Sequence, residues 1–298
     1  MIAGIDVGFG WTKVVTERGD EIKFPTWIAY YTSSPISELA VIRYGGRDYV
    51  VGKDVKYEAQ KIEISGIREL ITYFPVFVKY AELVTGEKFE SIITGLPAVY
   101  RAYSDELEAA VRDTGISCGV LPQGLGIFLD VRDRITSEDA FILDVGFNTL
   151  DYLIVENEGG TWRKKKGNTI EKLGVVRAVE IFRAAIPDQV SYARNFSFSR
   201  LLEVFERGTI WFEGESVDLR SVRDTALREY AELVKTRIRE EVGQYLGDAR
   251  SVVFAGGGAN VISKTDLFGP GSHVLVPPRP EFSQARGYLR FAMGVERI

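Results

Sequence analysis

Two short words of this sequence put the same reactive groups at the same spacing. Asp6-Val7-Gly8-Phe9 recurs letter for letter as Asp144-Val145-Gly146-Phe147. A strand ending in Asp-x-Gly places a carboxylate at the carboxyl edge of a sheet, beside a turn whose glycines let backbone N–H groups come close to a phosphate. In the first copy Gly8 and Gly10 free the turn, and Lys13 returns as a cation on the next strand. In the second, Asn148 and Thr149 supply polar groups that could reach terminal phosphates, and Asp151 follows on the strand. Either turn alone could simply close a hairpin. Two of them face to face could hold a polyphosphate and its metal. A third word, Phe254-Ala255-Gly256-Gly257-Gly258-Ala259-Asn260, sets three glycines between a buried strand and a helix start. A flat ring or a phosphate could lie there against bare backbone, with the helix dipole in its favour; a packing turn is the alternative. No Gly-Lys-Ser/Thr follows and no GxGxxG is present, so a nucleotide site here would be of another class.

Those turns need strands to carry them, and the flanks supply matching ones. A short apolar strand leads into each Asp, Met1–Ile5 and Phe141–Leu143. A second strand leaves each turn, Thr12–Thr16 and Thr149–Val155, and a glycine turn at 18–20 or 158–160 returns a third, Glu21–Phe24 or Thr161–Lys166. One β-meander therefore opens each half of the chain, which predicts a duplicated α/β protein with a cleft between the copies. Helices are expected over Ile67–Val84 with a break at Pro75, over Ser104–Arg112 capped by Ser104, and from Gly124 to Leu129. Further helices are expected at 174–185, 199–205, 222–246 and 283–295, with buried strands at 91–94, 116–120 and 251–254.

Composition bounds the rest. The 298 residues are 45% hydrophobic and 27% charged, with a net charge of −5, one cysteine and one histidine. That is a globular composition with neither a disulfide framework nor a His-based metal cluster. No apolar run approaches the ~18 residues of a membrane span, and Asp6 interrupts any apolar leader. A reducing cytoplasm is the expected setting. The acidic balance argues against direct nucleic-acid binding over the whole surface. The run Arg163-Lys164-Lys165-Lys166 reads as a solvated face, with DNA or an acidic adaptor as the alternative. Cys118 is expected in the core.

The three words, in this order, resemble the phosphate and adenosine motifs of the actin, hexokinase and heat-shock chaperone superfamily. Leu121-Pro122-Gln123-Gly124-Leu125-Gly126 resembles its first connecting segment and Ser283-Gln284-Ala285-Arg286-Gly287-Tyr288 its second. Within the superfamily the likeness is to compact actin-like ATPases of the ParM and archaeal actin-homologue type. They share the opening Gly-Ile-Asp-Val-Gly-Phe-Gly-x-Thr-Lys, Phe24-Pro25, Pro-Gln-Gly-x-Gly, Gly-Gly-Gly-x-Asn and the terminal Ala-x-Gly-Tyr. The resemblance implies an α/β fold of two duplicated ribonuclease H-like domains with a nucleotide cleft between them. Domain I would be 1–138 with an insert at about 25–66, completed by 283–298; domain II would be 139–282 with an insert at about 186–220.

The same resemblance implies site residues. Asp6 and Asp144 would hold Mg²⁺ through its waters and, with Gln123 orienting the attacking water, form the catalytic group. ATP or ADP would meet Gly8, Phe9, Gly10, Trp11, Thr12 and Lys13 on one side and Gly146, Asn148 and Thr149 on the other. Gly256, Gly257, Gly258 and Asn260 would hold the adenosine. Phe9 and Phe147 stand where eukaryotic actin has polar residues, so a side-chain hydroxyl in the first loop would come from Thr12. Glu171 and Lys172 are candidates for the ribose. A Gln orients water without accepting its proton, which implies slow hydrolysis. The implied function is an ATPase that polymerises with itself in plasmid or DNA segregation or a prokaryotic cytoskeleton, with a DNA-binding adaptor and no membrane anchor. The alternatives are a small-molecule kinase, with Asp130 or Asp133 as its base, and a nucleotide-sensing switch.

Overall fold

The computed structural model describes residues 1–32, 39–246, 250–262 and 271–294. Strands β1 (Ile2–Val7), β2 (Trp11–Thr16) and β3 (Glu21–Pro25) form the first meander. Four short strands follow, β4 (Ile28–Tyr30), β5 (Val41–Tyr44), β6 (Arg47–Val51) and β7 (Lys61–Ile62), then α1 (Ile67–Thr85), β8 (Ser91–Leu96), α2 (Ser104–Arg112), β9 (Ser117–Pro122) and α3 (Leu125–Val131). The second meander is β10 (Asp139–Val145), β11 (Thr149–Glu158) and β12 (Thr161–Glu171). After it come α4 (Val175–Ala185), α5 (Phe198–Arg207), the hairpin β13 (Thr209–Phe212) and β14 (Glu215–Asp218), α6 (Arg220–Leu246), β15 (Ser251–Ala255), α7 (Ala259–Ile262), β16 (His273–Leu275) and α8 (Ser283–Ala292).

The echo in sequence is an echo in topology. One five-stranded sheet runs β3-β2-β1-β8-β9 and the other β12-β11-β10-β15-β16. In each, the strand that carries the Asp pairs antiparallel with its meander partner and parallel with the strand beyond. This is a mixed α/β molecule of two sheet-rich domains. β1 and β10 lie at the centre of their sheets, covered on both faces, which is why Ala3, Ile5, Phe141, Ile142 and Leu143 are fully buried. The first sheet packs one face on α1 and α2. On the other face Val15 meets Phe282, Ala285 and Leu289 around α8.

Three local expectations need correction. α1 runs through Pro75 unbroken. Proline removes one helical N–H, but Ile71, Phe74, Val76, Phe77 and Val78 are all buried around it, and packing outweighs the lost bond. Ser104 does not cap α2: Tyr103 holds the cap position, and Ser104 Oγ donates to the Arg101 carbonyl at 2.9 Å. α8 ends at Ala292, and residue 295 lies outside the described residues. α6 starts at Arg220, two residues before the expected 222, ends at Leu246 as expected, and kinks at Val242, where Lys166 Nζ donates to the Glu241 carbonyl at 3.0 Å. Lys165 pairs with Glu156 and Arg163 with Glu158, so the basic run is spent largely on contacts within the chain.

Candidate nucleotide site

The carboxyl ends of β1 and β10 face one another across a cleft of about 1140 Å³, counted out to its open mouth. Such an edge is where open α/β sheets bind ligands. Asp6, Gly8, Phe9, Trp11 and Lys13 line it from one side and Asp144, Gly146, Asn148, Thr149 and Asp151 from the other. Gly256, Gly257 and Gln123 complete the wall. The two loops are built alike: the Gly8 N–H donates to the Trp11 carbonyl at 3.1 Å, and the Gly146 N–H to the Thr149 carbonyl at 3.0 Å. Those two amides are thus consumed by the turns. The amides of Phe9, Phe147 and Asn148, all on the cleft wall, have no such acceptor among the described residues.

Gly10, Thr12, Gly258, Asn260, Glu171 and Lys172 do not line the cleft. β2 alternates its faces, so Trp11 and Lys13 point into it while Thr12 turns into the core, its hydroxyl 3.0 Å from that of Thr26. No hydroxyl of the first loop replaces the one Phe9 lacks. Gly10 serves the Phe147 ring instead: a Cβ on Gly10 would fall 2.5 Å from it. Gly256 takes a left-handed φ of +82° and lies against Asp144, whose Oδ1 would be 2.3 Å from a Cβ there. Gly258 packs on Val145, and Asn260 is exposed on α7 away from the wall. Glu171 and Lys172 are also exposed and outside the cleft, with Glu171 accepting from Tyr100 Oη. Asp130 is buried in an ion pair with Arg286 and accepts from Ser283 Oγ at 2.6 Å, and Asp133 pairs with Arg290. Neither lines the cleft.

The model of the N-terminal domain of actin-like proteins matches residues 4–126, and that of the C-terminal part of the archaeal MreB-like actin homologue matches 142–265. Together the two models span most of the chain, which belongs to the actin-like proteins. No curated protein matches it in sequence. Among solved structures, it resembles a 15-stranded ParM filament from Clostridium botulinum with a TM-score of 0.76 at 19% identity, over 98% of this chain and 99% of that one. It resembles the archaeal actin homologue Ta0583 in complex with ADP with a TM-score of 0.75 at 21% identity, over 98% and 99%. A MamK double helical filament matches with a TM-score of 0.69 at 19% identity, over 98% of each chain. These likenesses are of fold.

The floor of this actin-like cleft is crowded with negative charge. Asp6 pairs with Lys13 Nζ at 2.9 Å. Among the described residues Asp144 has no such partner: burial pushes its pKa up to about 8, with the charges of Asp151 and Asp6 adding and Lys13 opposing. Burial also raises Asp151 to about 6, although hydroxyls of Thr169 and Thr149 donate to it. Three carboxylates against one ammonium make a seat for a cation. Among the described residues no three His, Cys, Asp or Glu side chains are grouped to bind an ion directly. Asp6 and Asp144, two carboxyl groups lining the same cleft, would suit a hard divalent cation such as magnesium that keeps most of its waters.

Sequence reasoning missed Lys23, Glu206 and Gln284, which reach the cleft from β3, α5 and α8. Lys23 lies 4.5 Å from the Trp11 ring centroid, and its pKa is lowered by burial. Glu206 is raised by burial, with Lys23 pulling the other way. Alternation along β3, with Lys13 and Lys23 in register across the meander, would have found Lys23; the other two depend on tertiary packing.

Proposed function

We propose that this protein binds Mg²⁺·ATP in the cleft, hydrolyses it slowly and assembles with itself into filaments. The observation that carries the reading is the convergence of the two matching Asp-x-Gly loops and Gly256–Gly257 on one cleft. The ADP complex of the archaeal homologue supports nucleotide binding, and the ParM and MamK filaments support self-association. Lys13 and the amides of Phe9, Phe147 and Asn148 bind phosphate oxygens, and Glu206 accepts from the ribose. Asp6 and Asp144 orient the waters of the metal, which when bound neutralises phosphate charge. Gln123, whose N–H is fixed on the Leu96 carbonyl at 2.9 Å, directs its amide at the attacking water. It cannot take up the proton, so turnover is slow. The cellular use we propose is segregation of plasmid or other DNA, or a cytoskeleton, in the cytoplasm, through a DNA-binding adaptor. Among the described residues no helix is long and apolar enough to cross a membrane.

Two variants test the site. Asp144→Ala should weaken binding of a fluorescent ATP analogue in Mg²⁺, and Gln123→Ala should spare binding and slow phosphate release by about 10²-fold, the loss expected when a reactant is no longer held in position. Normal hydrolysis by Gln123→Ala would remove the role assigned to Gln123.

A further inference from the structure

Directly behind the cleft floor, two fully enclosed polar atoms have no partner. Gln284 and Tyr288 stand one turn apart on α8, so their side chains share a face. They are 3% and 0% exposed. Gln284 Oε1 accepts the Ile127 N–H at 2.9 Å, which fixes the amide and turns its NH₂ the other way. Among the described residues, neither Gln284 Nε2 nor Tyr288 Oη makes a hydrogen bond. Poor packing does not strand them, because two glycines are shaped around them. A Cβ on Gly95 would lie 1.9 Å from Tyr288 Oη. One on Gly126 would lie 2.7 Å from both Gln284 Oε1 and Tyr288 Cε1. The two groups thus meet in one corner between β8 and α3.

That corner borders the site. Gly95 and Gln284 also line the cleft. Asp6, Asp144 and Asp151 are near enough to add to burial in holding the Tyr288 hydroxyl protonated well above its ordinary range. The corner therefore offers two donors, Gln284 N–H and Tyr288 O–H, beside a cleft floor that carries the carboxyl groups of Asp6, Asp144 and Asp151. A water molecule completes such a set, since it accepts two hydrogen bonds and donates two. A bare cation does not, because the fixed NH₂ would point at it.

We infer that Tyr288 and Gln284 seat an internal water whose protons are directed to the carboxylates of the cleft floor, which makes Tyr288 a positioning residue for the hydrated cation. The water needs only the corner; the effect on the cation rests on the Mg²⁺·nucleotide reading of the cleft. Tyr288→Phe keeps the ring and deletes the hydroxyl, and two measurements on the purified full chain judge it. Without nucleotide, the variant should melt no higher than the wild type, since it loses a satisfied group. In a Mg²⁺ titration of fluorescent ADP binding it should need about tenfold more Mg²⁺, with Mg²⁺-independent binding unchanged. A higher melting temperature would mean that the hydroxyl is unpaired and would overturn the water. An unchanged Mg²⁺ requirement would overturn the positioning role. If the wild type itself bound no nucleotide, the reading of the cleft would fail, and the melting comparison would still decide the water.

Discussion

At corresponding points of the two meanders stand opposite charges. Asp6 is in register with Lys13, whereas Asp144 is in register with Asp151. The first copy neutralises its own carboxylate and the second doubles it, so Asp144 carries most of the strain. Its raised pKa has a stability consequence of definite sign. Well below the ordinary value of 3.8 the carboxyl is protonated in both folded and unfolded chains. As pH rises toward about 8 the unfolded chain ionises first, and folded stability is lost across that window. Asp144→Asn should therefore gain on the wild type in melting temperature between pH 5 and 8.5 in metal-free buffer; parallel curves would refute the raised pKa that burial and its neighbours give this carboxyl. Cys118 gives a second check. Burial, with Glu108 adding, pushes its thiol up to about 12, so a thiol reagent at pH 8 should label it far more slowly in the native than in the denatured chain.

Between elements, the contact to watch is the one across the cleft, where the Phe147 ring rests on Gly10 and meets Phe198 edge-on at 5.6 Å. Gly10→Ala would drive a methyl into that ring. It should lower both the melting temperature and nucleotide affinity, read by thermal melts and by fluorescent ADP titration; a neutral result would show that the loops part freely. The same contact shows what was legible in the sequence. The two turns and their strands are local, and spacing alone located Asp6, Gly8, Lys13, Asp144 and Gly146 on the wall. Period-two alternation was equally local and would have turned Thr12 inward. Glu206 and Gln284 could not be found this way, because α5 and α8 reach the cleft only after the chain has folded. Pro75 misled for a related reason: the burial that holds α1 together is tertiary.

Over the whole molecule, α8 packs on β1, β8 and α3, and Arg286 ties it to Asp130 and Glu21. It therefore links the first sheet to the segment that carries Gln123 into the cleft. The surface bears an exposed aromatic group on the β13–β14 hairpin, where Tyr192 stacks on Phe212 at 5.3 Å and Trp211 is 70% exposed. Aromatic side chains of this kind anchor protein contacts. Trp211→Ser should raise the protein concentration needed for assembly and leave nucleotide binding intact; assembly at the wild-type threshold would exclude this hairpin from the contact. If nucleotide in the cleft governs self-assembly, light scattering with pelleting, alongside phosphate release, will read it in Mg²⁺·ATP, Mg²⁺·ADP and no nucleotide. Polymer should form in ATP, phosphate should be released slowly and polymer should be lost as ADP accumulates; the same soluble protein in all three conditions, across protein concentrations, would rule out nucleotide-governed assembly.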